Sequence, residues 1–452
     1  MRLYNNIIGQ TLFLSIIIFS TYSCSSDAPI TIDPLDETLK TTLSDASPSG
    51  NKNYFKLPKS SELSKIPQDP NNVLTAEKVA LGAYLFHETG LSSHPNDEDY
   101  QYTYSCATCH NASAGFQSGT FQAIGEGGLG FGLIGESRIP DPNHPLPDVQ
   151  SIRTPSAMNI AYQKNILWNG QFGSKDKNIN TSHLWKTGTP LEKNRLNYDG
   201  AETQAIAGQD VHRLNITPEL LNMKAYKNMF DEAFPSVPQE DRYSAVNAGL
   251  AIAAYERTLL PYKSPWQQYL DGNETAMSDE QKEGAILFFG KANCVSCHSG
   301  PALSSMEFYA LGVGDMVDCI EPTLRTSIND KENRGRASFT NLASDEYKFK
   351  VPQIYNLRDL KYLGHGATFK SVEDIIRYKN DAIAENSRVP AGKLSPEFVP
   401  LGLSNDEINK LTQFVKFALY DDDLERYVPD LLPSGLCFPN GDAVSKNEMG
   451  CE

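Results

Sequence analysis

Two five-residue segments, Cys106-Ala-Thr-Cys109-His110 and Cys294-Val-Ser-Cys297-His298, place a pair of thiols and an adjoining imidazole at one spacing in opposite halves of a 452-residue chain. With only 8 Cys and 8 His in the whole sequence, composition alone would produce far fewer than one such segment. C-x-x-C-H is the attachment signal for c-type haem: both thiols bond to the porphyrin edge and the next residue reaches the iron from one face. A zinc site would need four ligands in one cluster, and a C-x-x-C redox pair has no use for the trailing His. The chain is therefore expected to carry two covalent haem c groups, on Cys106, Cys109 and His110 and on Cys294, Cys297 and His298.

The N-terminus agrees with that chemistry, since covalent haem is assembled outside the bacterial cytoplasm. Arg2 precedes an apolar run from Thr11 to Phe19 and the small residues before Cys24, so residues 1–23 read as a signal peptide too short to span a membrane. Cys24-Ser-Ser-Asp resembles a lipoprotein cleavage site, which predicts a periplasmic protein held to the membrane only by a lipid on Cys24. Cleavage nearby without lipid is the plainer alternative. Of the remaining cysteines, Cys319, Cys437 and Cys451, two are able to bridge in an oxidising compartment; Cys437 with Cys451 would staple the tail, but the sequence does not decide the pairing. Cys319 reads as structural rather than as an iron ligand.

A net charge of −16 argues against nucleic acid and against adsorption to anionic lipid, and suits a basic electron-donor protein. Residues 24–70 are rich in Ser, Asp, Pro and Lys and read as a flexible tether. A first haem domain is expected over 71–270, a second over 271–430, and a tail over 431–452, with the boundary in the turn-rich Pro265–Asn273 segment. Leu81-Gly-Ala-Tyr-Leu-Phe86 returns as Glu283-Gly-Ala-Ile-Leu-Phe288, so a haem-bearing helical module is repeated. Ser278-x-x-Gln281 and Ser404-x-x-Glu407 are capping boxes, and Ala251–Leu259 is strongly helical. The expected class is mainly α, with two cytochrome c-like haem domains and long ordered loops such as 125–135 and 140–147.

These blocks, together with Arg153-Thr-Pro-Ser-Ala-Met-Asn159, Leu167-Trp-Asn-Gly170, Glu202-Thr-Gln-Ala205, Val351-Pro-Gln-Ile-Tyr-Asn356 and Pro400-Leu-Gly-Leu403, make the chain resemble the bacterial di-haem cytochrome c peroxidases, a family that includes the MauG-type enzymes. The resemblance implies a peroxidatic haem first, an electron-transfer haem second, and a calcium ion between them. It makes His110 and His298 the proximal ligands and Trp168 the indole between the haems. It draws calcium ligands from the Asn159 side chain and from carbonyls near Leu360 and Tyr362.

Two positions depart from the family pattern. The Met or Tyr that ligates the second haem falls, by register from His365, on Lys379, with Tyr378 adjacent; Val372, Ile375, Ile376 and Lys379 share one helix face. Lysine at the end of an apolar stripe often snorkels to water, and Met306 and Met316 rank lower as ligands. A nitrogen or oxygen donor stabilises ferric iron, so this haem should have a lower potential than a Met-ligated one. The family's Glu, ten residues after the Gln that corresponds to Gln204, is replaced by Leu214. Nearby His212 is the expected substitute proton handler, with Arg213 polarising the departing oxygen; ligation of the first iron by His212 is the alternative. His144 lies where some members keep a removable distal His, whereas His87, His94 and His183 read as structural or surface residues.

The leading expectation is a periplasmic peroxidase that reduces hydrogen peroxide at the first haem with electrons from a small cytochrome or cupredoxin. The alternatives are an oxidase that uses both haems as a high-valent store to modify a partner protein, and a non-enzymatic electron carrier. Monomer or homodimer is undecided by the sequence.

Overall fold

A computed structural model describes residues 33–451 apart from 145 and 224; the signal peptide and Cys24 lie outside the described residues. The helices that carry the architecture are α1 (Pro34–Ala46), α2 (Ala76–His87), α3 (Gly200–His212), α4 (Ala245–Arg257), α5 (Pro265–Leu270), α6 (Asp279–Phe289), α7 (Val372–Asp381), α8 (Asn405–Gln413) and α9 (Ala443–Met449). Long loops join them. The strands are two-residue antiparallel pairs, Gly128–Leu129 with Ile139–Pro140 and Phe308–Tyr309 with Phe349–Lys350. No described helix is long and apolar enough to cross a membrane.

The repeated Gly-Ala motif explains how each half packs. A Cβ on Gly82 would lie 1.9 Å from the Ala251 carbonyl oxygen, and one on Gly284 would lie 2.0 Å from that of Lys410. Helix α2 thus crosses α4 backbone to backbone, and α6 crosses α8 in the same way. Only glycine permits so close an approach, because any side chain would occupy the partner's carbonyl. Thr75 caps α2, and reciprocal capping boxes start α6 at Ser278 and α8 at Ser404. Helix α3 lies against α4, tied by a buried bidentate pair: Arg257 Nε and Nη2 donate to Glu202 Oε1 and Oε2 at 2.8 and 2.7 Å.

Within the segment expected to be a tether, the described residues 33–70 are instead folded. Asp33 caps α1, whose Leu39 and Leu43 are fully buried, and Phe55, Leu57 and Ile66 also join the core. The Lys282 ammonium reaches the buried Asp36 carboxylate at 2.8 Å, docking α1 on α6. Its buried apolar residues are sparse, and the polar composition between them concealed this. The Pro265–Asn273 segment is likewise no exposed linker. Pro265 occupies the first turn of α5, where a missing N–H costs nothing. Trp266, fully buried, stacks on Phe289 at 5.3 Å.

Residues 33–66 and the tail each pack on the opposite half. While the N-terminal segment packs on α6, the tail crosses to the first C-x-x-C-H segment, where Ser105 and Thr108 hydroxyls donate to the Pro439 carbonyl at 3.0 Å. Buried Arg138 pairs with Asp442 at 3.2 Å, and Cys437 is bridged to Cys451. The tail adds α9, beyond the helix at Ser404 that the sequence reading had placed last.

Candidate haem-binding site

Cys106–Cys109 forms a single helical turn capped by Ser105 and Thr108, and Cys294–Ser296 forms a tighter turn. Both leave their thiols unpaired. Each adjoining His is oriented by a carbonyl: His110 Nδ1–H donates to Phe116 at 3.1 Å and His298 Nδ1–H to Leu303 at 3.0 Å. That assigns the Nδ1–H tautomer and leaves Nε2 as the ligating nitrogen. Burial pulls both imidazoles down to about 4, so both are neutral. Four free thiols and two neutral, backbone-oriented imidazoles fit two haem c groups.

Both imidazoles open into one continuous cavity of about 670 Å³. Trp168 and His365 also line this cavity, their rings 6.0 Å apart and edge to face at 66°. The indole N–H donates to the Arg153 carbonyl at 2.7 Å, and His365 is stacked 3.6 Å from Phe349 with Nε2 at 3.3 Å from Asp315. The halves are stitched here by a reciprocal pair: Arg153 N–H donates to the His365 carbonyl and Lys350 N–H to the Trp168 carbonyl, both at 2.8 Å.

On the second side, Val372, Ile375, Ile376 and Lys379 all line the cavity, as their spacing predicted. Lys379 has no hydrogen bond or ion pair among the described residues; its ammonium lies 5.1 Å over Phe398, and burial lowers its pKa. Tyr378 is turned away, its hydroxyl donating to the Leu311 carbonyl. Met306 accepts from Asn165 N–H, Met316 is buried, Cys319 contacts the Ala367 carbonyl, and none of the three lines the cavity.

On the first side, Gln204 lines the cavity while His212 and Arg213, at the end of α3, lie outside its lining. Asp148 binds both, accepting from His212 Nδ1 and Arg213 Nη2 at 2.9 Å. Burial pushes Asp148 up, but these two donors outweigh it and hold the carboxyl below its ordinary range. Arg213 Nε also donates to the buried Glu126 at 2.8 Å, and His144 lies 3.5 Å from Glu126 on the other side. Leu214 is core. His87 is buried against Phe86, Tyr255 and Phe438, a packing residue.

Asn159 is fully buried in a left-handed turn, and neither its Oδ1 nor its Nδ2 has a partner among the described residues. At the matching position of the second half, Asn356 is satisfied on both sides by Asp421. An oxygen-seeking cation beside Asn159 fits this donor; Leu360 is buried and the Tyr362 hydroxyl donates to Glu321 at 3.0 Å. Sequence reasoning missed Glu126, Asp148, Arg153, Glu256 and Lys350 as site residues. Glu256, buried with an unpartnered oxygen, lines the cavity and is pushed up to about 8 by burial and by the charge of Glu202.

Residues 76–275 match the family model described as di-haem cytochrome c peroxidase. The chain is 27% identical over 401 residues to the methylamine utilization protein MauG of Methylorubrum extorquens, covering 88% of this chain and 90% of that one. It is 27% identical over 387 residues to the cytochrome-c peroxidase IdrP1 of Denitromonas iodatirespirans, covering 80% and 86%. Its fold matches the crystal structure of a MauG-like protein associated with microbial copper homeostasis, with a TM-score of 0.54, 19% identity, and coverage of 83% and 98%.

Proposed function

We propose, for a chain that belongs to the di-haem cytochrome c peroxidase family, that it reduces hydrogen peroxide at the Cys106–Cys109–His110 site with electrons relayed from the Cys294–Cys297–His298 site. The observation that carries this reading is the single cavity lined by both proximal imidazoles and by Trp168 and His365, which are in ring contact with each other. When bound, haem iron supplies peroxide binding and cleavage on the first side and electron storage on the second.

The protein's part is to hold ligands, exclude water and move protons. Peroxide reduction takes up two electrons and two protons and releases two waters. His212, with Nδ1–H held by Asp148, keeps Nε2 for proton transfer, and Gln204 positions the substrate from two turns earlier on the same helix. Arg213, fixed by Glu126 and Asp148, places a positive charge near the departing oxygen. On the second side Lys379 rather than Tyr378 would hold the iron, because of the two only Lys379 lines the cavity without a hydrogen-bond partner among the described residues. Asn159, with carbonyls near Leu360 and Tyr362, would hold a calcium ion.

Two haem-bearing domains, export to the periplasm and a lipid on Cys24 complete the reading. Its supports are the repeated Gly-Ala crossing, the apolar run before Cys24, and the Cys437–Cys451 bridge, which suits an oxidising compartment. The electron donor is a small basic cytochrome or cupredoxin, complementary to a charge of −16. Lys379 favours a second reading, oxidation of a Trp or Tyr on a partner protein, because a nitrogen donor keeps the second iron ferric. Steady-state turnover separates the two. The peroxidase reading expects two reduced donor molecules oxidised per peroxide consumed; peroxide consumption without donor oxidation would overturn it.

A further inference from the structure

Two buried cations at equivalent places in the repeat have no anion to neutralise them. Arg153-Thr-Pro155-Ser-Ala-Met-Asn159 and Lys350-Val-Pro352-Gln-Ile-Tyr-Asn356 share one pattern, a cation two residues before a Pro and six before an Asn. Both Asn residues adopt the left-handed conformation, with φ 58° and 54°. Both Pro carbonyls approach the proximal His of their own half. Arg153 is 2% exposed and Lys350 6% exposed, and both line the cavity. The guanidinium donates only to the Gln117 side chain and the carbonyls of Ser118 and Thr154, leaving Nε unpartnered. The ammonium donates only to the Gln163 side-chain oxygen. Neither meets a carboxylate among the described residues.

Burying a charge against neutral acceptors alone is costly, and proteins pair such charges or neutralise them. Burial pulls Arg153 down to about 10 and Lys350 to about 7, the direction expected of cations that lack a counter-ion. The seam where they sit is also the one stitched by the reciprocal bonds from their own N–H groups to His365 and Trp168. An acidic occupant of the cavity would therefore be bound by both halves together.

We infer that Arg153 and Lys350 form a paired cationic seat, one per half, for carboxylates projecting from the porphyrins into the seam beside Trp168 and His365. This rests on the di-haem reading above. The seat also ties the junction to cofactor loading, because the residues that hold the carboxylates are the ones whose backbone N–H groups bond across from one half to the other. Lys350, next to the second site, raises the potential of that haem because its positive charge opposes extra positive charge on the iron and offsets the negative charge of the carboxylates.

The test uses the haem-loaded full chain and the two Lys350 variants K350M and K350R. K350M should keep two porphyrins by intact mass but lower the midpoint potential of the second haem more than that of the first. K350R, which retains the charge, should stay nearer to wild type. Unchanged potentials in a K350M protein carrying two porphyrins would overturn the seat and leave the di-haem reading standing. A wild-type protein without two porphyrins would overturn both. Independently of any variant, resonance Raman of wild type in H2O and D2O should show shifts in the propionate bending bands from exchangeable donors. Bands that do not move would refute the seat even if K350M fails to fold.

Discussion

Replacing Gly82 by alanine tests the packing that brings the first C-x-x-C-H turn into place. The added Cβ would lie 1.9 Å from the Ala251 carbonyl oxygen, 2.5 Å from its carbon and 2.9 Å from Tyr255 Cβ. Ordinary contact begins near 3.4 Å, so α2 and α4 must separate by about 1.5 Å. The obstruction is backbone, which has no rotamer to swing aside. Overpacking typically costs about 1–3 kcal/mol, and the upper end applies here. Alanine's better helix propensity recovers under about 1 kcal/mol of that. For a domain of this size each kcal/mol moves Tm by about 2–4 °C, so a net loss of about 2 kcal/mol lowers the transition by roughly 4–8 °C. Scanning calorimetry of the haem-loaded protein measures it, with Gly392→Ala as the control because nothing lies within 4 Å of that position. Gly284→Ala should repeat the effect, since its Cβ would lie 2.0 Å from the Lys410 oxygen. Gly82→Ala and Gly392→Ala melting together would refute the reasoning.

Three further outcomes are expected. His212→Ala should slow peroxide cleavage by about 10²-fold in stopped-flow while leaving haem content unchanged; wild-type rates would remove His212 from the proton path. Lys379→Met should raise the second haem's potential and shift its ligand-field spectrum, and identical spectra would show that another group holds the sixth position. Cys437→Ser opens a bridge spanning 14 residues, worth about 3 kcal/mol in chain entropy. Urea unfolding followed at the first haem should register that loss, and a midpoint unchanged from wild type would mean the tail does not brace that site.

What the sequence discloses is local. The haem segments, the capping boxes at Ser278 and Ser404, and the Lys379 stripe are contiguous or periodic, and the structure places them as their spacing implies. Helix α1 escaped notice because Leu39 and Leu43 are only two apolar anchors in a polar stretch, and their burial depends on a partner helix more than 200 residues away. The Asp148–Arg213–Glu126 cluster joins a loop to a helix end and has no linear signature. The Arg153 and Lys350 pair was within reach, since both motifs stand in the sequence; only a comparison of one half with the other brings them out. His212 is held by the Asp148 carboxylate, a partner with no linear signature, and stands outside the lining of the shared cavity.

The central claim is that two haems, each bound through a thiol pair, share one protein interior and exchange electrons through the Trp168 contact. Rapid freeze-quench electron paramagnetic resonance after peroxide is added to the half-reduced protein tests it directly. The account predicts that the reduced second haem becomes ferric within the lifetime of the peroxide reaction, and that Trp168→Phe delays this. A second haem that stays reduced while peroxide is consumed would contradict it.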